Sequence, residues 1–239
     1  GKVTINGGVI SSKDFRSLRD FTAGGEIIIN GGVFKGQVWM QGLGNGSSSL
    51  TINGGEFSPL QGYDGSSVYI TNGTNDIIVT INGGKFNTKI GCADVAKAGI
   101  KGSVKGGIFT ESAKTNTNNA LIAEGCAFVE TADGYWEIEK SWEKTSETSY
   151  TIYSANGMRW LAEQVNSGHE TFVGKTIMLG ADIDLKNEEW TPIGTETKNF
   201  EGNFDGGNKV VKGLKITTHQ NTIDEYGIWA YAGLFGVTS

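Results

Sequence analysis

Ile29-Asn30-Gly31-Gly32-Val33-Phe34 decides the fold, because the chain repeats it. The hexapeptide occurs also as Ile5-Asn6-Gly7-Gly8-Val9-Ile10, Ile52-Asn53-Gly54-Gly55-Glu56-Phe57 and Ile81-Asn82-Gly83-Gly84-Lys85-Phe86. Two looser copies follow, Val104-Lys105-Gly106-Gly107-Ile108-Phe109 and Ala123-Glu124-Gly125-Cys126-Ala127-Phe128. The copies end at residues 10, 34, 57, 86, 109 and 128, so the periods are 24, 23, 29, 23 and 19. Helical repeats run about 33 residues or more and need long amphipathic stretches, which are missing here; leucine-rich repeats need more Leu. The reading that remains is all-β: a parallel β-helix, each period one rung, with rungs about 4.8 Å apart.

Stacking places equivalent residues above one another. Ile5, Ile29, Ile52, Ile81 and Val104 then form an inward aliphatic column, and Ile10, Phe34, Phe57, Phe86, Phe109 and Phe128 a second, mostly aromatic one. Asn6, Asn30, Asn53 and Asn82 form an amide ladder of the kind seen where identical strands stack. The Gly pair serves a sharp turn at backbone angles a Cβ resists, in a place where side chains of successive rungs would collide. Eleven of the 37 glycines belong to this one turn.

Composition narrows the function. The chain has 239 residues and a net charge of −6, with Arg only at 16, 19 and 159, so the basic footprint of a nucleic-acid binder is missing. No apolar run approaches the roughly 20 residues of a membrane span. Two Cys make no disulfide framework; Cys126 reads as a small thiol in the column of second glycines, with a bond to Cys92 as the minor alternative.

One period is six residues longer than its neighbours, between Phe57 and Phe86, and insertions in solenoids bulge from one face that often binds. Its residues 58 to 69 include Tyr63, Asp64 and Tyr69; Trp39 lies in a strand between Val38 and Met40. These four are the candidate binding residues, against the plainer reading of a solvated loop whose tyrosines pack back on the coil. Arg16 and Arg19, with Asp14 and Asp20, read as a solvated charged face.

After Phe128 the repeat stops. We divide the chain into a β-helix over 1–138, a linker over 139–149 and a second β-helical region over 150–239. That region opens with a short helix near 156–167, whose Met158, Leu161, Ala162 and Val165 share one face; Asn156 is expected to cap its start and Gly168 its end. Such a helix could cover the open end of a β-helix. Net charge moves from −1 over residues 1–140 to −5 over 141–239.

The second region resembles the sequence leading into GLUG-motif repeats. The likeness rests on Ala181-Asp182-Ile183-Asp184-Leu185, Trp190-Thr191-Pro192-Ile193-Gly194, Phe200-Glu201-Gly202-Asn203-Phe204-Asp205-Gly206-Gly207-Asn208, Gly213-Leu214-Lys215-Ile216 and Ala232-Gly233-Leu234-Phe235-Gly236. Such repeats occur in large secreted or surface-attached bacterial proteins, among them adhesin-like proteins of gut commensals. The first region is similar, less specifically, to pectate-lyase-like surface proteins. The resemblance implies a right-handed β-helix, an extracellular or bacterial cell-surface location and no particular reaction. Gly1 leads at once into a full repeat and Ser239 follows a motif that recurs in that family, so the chain is expected to be a piece of a longer, surface-attached protein.

Chemistry is sparse. Asp182 and Asp184 face one side of a strand and Asp205 lies a rung away, a weak candidate calcium set; capping of turn amides is the ordinary role of such aspartates. His169 and His219 stand in polar loops outside metal or triad spacings. No cofactor is called for. The favoured reading is therefore a non-catalytic, adhesin-like segment displaying a face for glycans or host or matrix proteins. The alternatives are a carbohydrate-active lyase or hydrolase and a purely structural stalk.

Overall fold

The computed structural model describes residues 1–20, 24–42, 46–59, 65–71, 76–92, 99–217, 220–224 and 227–239, with backbone alone at 14, 220–224 and 227–231. It is mostly β, with 47% of residues in strands against 11% in helices, which makes the chain all-β in class. Contacts divide it into two compact units, Gly1–Glu139 and Lys140–Ser239.

In the first unit the strands run β1 (Lys2–Ile5), β2 (Val9–Asp20), β3 (Glu26–Ile29), β4 (Val33–Gln41), β5 (Ser48–Ile52), β6 (Glu56–Ser58), β7 (Val68–Thr71), β8 (Ile77–Ile81), β9 (Lys85–Phe86), β10 (Ile90–Cys92), β11 (Ile100–Val104), β12 (Ile108–Phe109), β13 (Cys126–Glu130) and β14 (Trp136–Lys140). A short helix, α1 (Glu111–Asn116), precedes β13. One sheet has the order β1-β3-β5-β8-β11, all pairs parallel, and its register aligns Ile5, Ile29, Ile52, Ile81 and Val104. The second aligns Ile10, Phe34, Phe57, Phe86 and Phe109 across β2, β4, β6, β9 and β12. β4 is long enough to pair β6 with its first half and β7 with its second, and β7 in turn pairs β10. Each repeat thus passes from the first sheet through the glycine turn into the second.

The aromatic column is a stack of rings. Centroids lie 4.9 Å apart for Phe34–Phe57, 5.0 Å for Phe57–Phe86 and 4.9 Å for Phe86–Phe109, all near parallel. All four are fully buried beside Ile29, Ile52 and Ile81. The Asn ladder is directional: Asn30, Asn53 and Asn82 each donate Nδ2–H to the Oδ1 of the preceding Asn at 2.8 Å. At the turn, Gly32, Gly55, Gly84 and Gly107 have φ between +111° and +123°, and a Cβ on Gly54 or Gly83 would stand 2.9 or 2.7 Å from the carbonyl oxygen of the preceding Asn.

Phe128 departs from the expected column. β14 pairs antiparallel with β12, Ile108 opposite Glu137, and lies between β12 and β13, so Phe128 meets Phe109 edge-on at 5.2 Å and 90°. The ladder Asn is already replaced by Lys105 in the fifth copy, which keeps the Gly pair and the register; the sixth has Glu124 at the ladder position and also Cys126 in place of the second Gly, so it lacks both devices. β14 instead covers the edge that β12 would leave open.

The second unit has its own core. Its strands are β15 (Trp142–Ser146), β16 (Ser149–Ile152), β17 (Thr176–Leu179), β18 (Ile183–Asp184), β19 (Asn203–Asp205), β20 (Val211–Lys212), β21 (Gln220–Asp224) and β22 (Gly227–Tyr231). β16, β17 and β19 pair in parallel with Tyr150, Ile177 and Phe204 in register, a spacing of 27 residues at each step. The segment expected as a linker contains β15, which pairs antiparallel with β16. Helix α2 (Ala155–Ser167) buries Met158, Leu161, Ala162 and Val165 as its periodicity requires, and ends on Gly168 at φ +79°. Its start differs from expectation: Ser154, not Asn156, is the cap, accepting from the Gly157 amide, and Asn156 lies inside the helix, exposed. Helix starts choose the residue whose backbone is still extended, and that is Ser154 at φ −150° and ψ 170°. Trp142 and Trp160 stack at 3.9 Å beside Tyr150.

Phe86→Ala removes the ring between two stacked neighbours. We expect a loss of about 3–5 kcal/mol in denaturant unfolding of the first unit, with Phe86→Leu costing less; equal, small losses would show the column to be loosely packed. In the second unit Glu170 accepts a short hydrogen bond from the Lys175 ammonium, which together with the Phe172 amide holds its carboxyl below the usual range and raises Lys175. A lowered carboxyl stabilises above its unfolded pKa of about 4.3, and that contribution disappears as pH falls through the folded value. Raised Lys175 contributes below about pH 10 and loses its share above it. Glu170→Gln should therefore lower the unfolding free energy at pH 7 by less than about 1 kcal/mol, since the pair is partly exposed, and have no effect at pH 2.

Candidate binding cleft

Where β2, β4, β7 and β10 run side by side, their register stacks one outward column: Arg19, Trp39, Tyr69 and Gly91. Alternation along a strand puts these residues opposite the buried Val38, Met40, Val68 and Ile70, which anchor the strands in the core. Trp39 is not an open platform. The Arg16 guanidinium lies 3.5 Å from the centroid of the indole and that of Arg19 5.2 Å, while Tyr69 flanks it from the next strand at 6.4 Å. The indole N–H donates to the Thr71 hydroxyl at 2.9 Å. Arg16 reaches the ring because β2 carries an irregularity before it, with Phe15 at φ +121° and Gly36 facing it so closely that a Cβ there would stand 2.9 Å from the Phe15 carbonyl oxygen. The arginines read as a solvated face thus divide: Arg19 is exposed, whereas Arg16 is half-buried on the indole.

Tyr69 borders a cleft of about 440 Å³, within the range of small-molecule sites, about 300–1,000 Å³. Gly91 lies beside it: a Cβ there would stand 2.3 Å from Ser66 Oγ and 3.0 Å from the Tyr69 ring, so only Gly lets both approach. Gln37, 4% exposed, donates to the Ser66 carbonyl at 3.2 Å and fixes that wall. The opposite wall follows α1. Thr117 accepts from the Ile90 amide at 3.1 Å and donates to the Ala113 carbonyl at 2.7 Å, which seats the chain beside β10 and brings Asn116 and Asn118 to the cleft. Asn116 uses its NH2 on Ser112 and Asn118 its oxygen on the Ala120 amide. The Asn118 NH2, the Tyr69 hydroxyl and the Lys89 ammonium have no partner among the described residues, and all three residues line the cleft.

Of the four residues expected to bind, Trp39 and Tyr69 are neighbours in one column, while Tyr63 and Asp64 lie outside the described residues. Lys89, Gly91, Gln37 and Asn118 escaped the sequence reading, since nothing in their local sequence marks them. The expected carboxylate set is dispersed over turns: Asp182 accepts from the Val210 amide, Asp184 from the Lys186 amide with Lys212 at 3.4 Å, and Asp205 from the Gly207 amide. The Lys186 amide, more than the Lys212 ammonium, keeps the Asp184 carboxyl below its usual range. Among the described residues no His, Cys, Asp or Glu cluster could hold a metal, the cleft lining contains no carboxylate, and no disulfide joins Cys92 and Cys126. His219 lies outside the described residues. No helix among them is long and apolar enough to cross a membrane.

Gly91→Ala should destabilise the first unit by about 1–3 kcal/mol, because Ser66 or Tyr69 must move. The check is denaturant unfolding, and a neutral result would show that the cleft wall yields freely. Comparison of the chain with protein-family models, curated proteins and solved structures gives no match.

Proposed function

We propose that the first unit is a right-handed parallel β-helix and that the chain is a non-catalytic, adhesin-like segment of a secreted or bacterial cell-surface protein, binding glycans in the cleft beside Tyr69. The observation that carries this reading is the lining of that cleft: an aromatic ring, amide and hydroxyl groups with hydrogen-bonding capacity to spare, and no carboxylate among its described residues. Sugars are recognised by that combination, an apolar ring face against an aromatic side chain and hydroxyls against planar polar groups. Glycoside hydrolysis needs two carboxyl groups across the scissile bond, so the same lining favours retention of a saccharide over its cleavage. The GLUG-like motifs of the second unit support the extracellular location.

A structural stalk is the second reading, favoured by the aligned Phe, Ile and Asn columns, which stiffen the unit without any ligand. A glycan array with the whole chain separates the two. Saturable binding that Tyr69→Ala weakens by about tenfold, with the melting temperature unchanged, supports the cleft. Binding unaffected by Tyr69→Ala removes the cleft from the account, and an array without any saturable signal leaves the stalk.

A further inference from the structure

Lys89 is half-buried on the rim of the cleft, and its ammonium meets no anion among the described residues. Lys2, Lys101, Lys114, Lys140, Lys144, Lys175 and Lys212 each stand within 4 Å of a carboxylate, whereas Lys89 lines a cleft whose described residues include no carboxylate. Arg16, a second cation, lines the same cleft, and the remaining described lining is neutral. The same cleft is lined by Asn118 and Tyr69, whose NH2 and hydroxyl have no partner among the described residues. A half-buried cation that shares a cleft with spare hydrogen-bond donors suits an anionic oxygen group far better than a neutral hydroxyl, which would leave the charge uncompensated.

Resting on the glycan reading of this cleft, we infer that its ligand is an acidic saccharide whose carboxylate or sulfate group pairs with Lys89. The neutral part of the sugar lies against Tyr69 and its polar groups meet Asn116 and Asn118. The overall negative charge of the chain repels such ligands at long range, so the cleft discriminates by local pairing.

Calorimetry with the whole chain provides the test, using sialyllactose as the carboxylate source, a chondroitin sulfate disaccharide as the sulfate source and lactose as the neutral control. The expected result is an acidic-over-neutral preference of about tenfold or more that Lys89→Gln abolishes and Lys89→Arg retains, and that shrinks as salt rises. The acid that binds more tightly identifies the source. A preference unchanged in Lys89→Gln, or a preference for lactose, overturns the inference even while Tyr69→Ala still weakens binding and the glycan reading stands. If no saccharide binds, the glycan reading fails, and titration with inorganic sulfate decides the anion site separately. Shifts of the Gly91 and Asn118 amide resonances that Lys89→Gln removes would retain an anion site; no shifts would end it.

Discussion

Everything in the first unit depends on how closely one period can lie on the next. Strands in a sheet are about 4.8 Å apart, and the turn between the two sheets must follow at that spacing. At Gly54 and Gly83 the carbonyl of the preceding Asn occupies the place where a Cβ would be. With Gly in these positions the turn stacks, and the residues on either side of it, Ile and Asn before and Phe after, come into register. The Phe stack and the Asn ladder are consequences of that one contact. Their rings and amides repeat at the spacing that suits aromatic stacking and amide hydrogen bonding.

The way the stack ends illustrates the same constraint. Where Cys126 replaces the second turn Gly, one copy after Lys105 has replaced the ladder Asn, β13 no longer pairs with β12, and β14 takes the vacant edge. An uncovered edge would expose unpaired amides and carbonyls to other chains. Loss of the repeat and protection of the edge thus occur together, within a few residues.

The cleft arises from departures from repetition. Column symmetry would place a side chain at residue 91 in line with Trp39 and Tyr69, and Gly stands there instead. Strict repetition would also continue β10 with another strand, yet the fifth period substitutes α1 and the Thr117 contact to Ile90. The two departures leave a concavity with polar walls beside Tyr69. Trp39, the most conspicuous aromatic in that stretch of sequence, is consumed by its neighbours: Arg16 covers one face and Tyr69 flanks it, so the indole organises the wall without offering itself to a ligand.

Much of this was legible in residue order alone. The hexapeptide repeat determined the strands, the inward Ile and Phe columns, the Asn ladder and the need for Gly, because each follows from period and side-chain size. The α2 helix and its Gly168 cap were readable from 3.6-residue periodicity, whereas Ser154 as its other cap required the backbone angles that distinguish it from Asn156. The cleft was decided by tertiary structure. Gln37, Tyr69, Lys89 and Asn118 belong to four successive periods of unequal length, and stacking alone brings them together. No spacing along the chain encodes a neighbour reached by translation across three strands, and so a lysine that looks like ordinary surface in the sequence becomes the cation of a cleft.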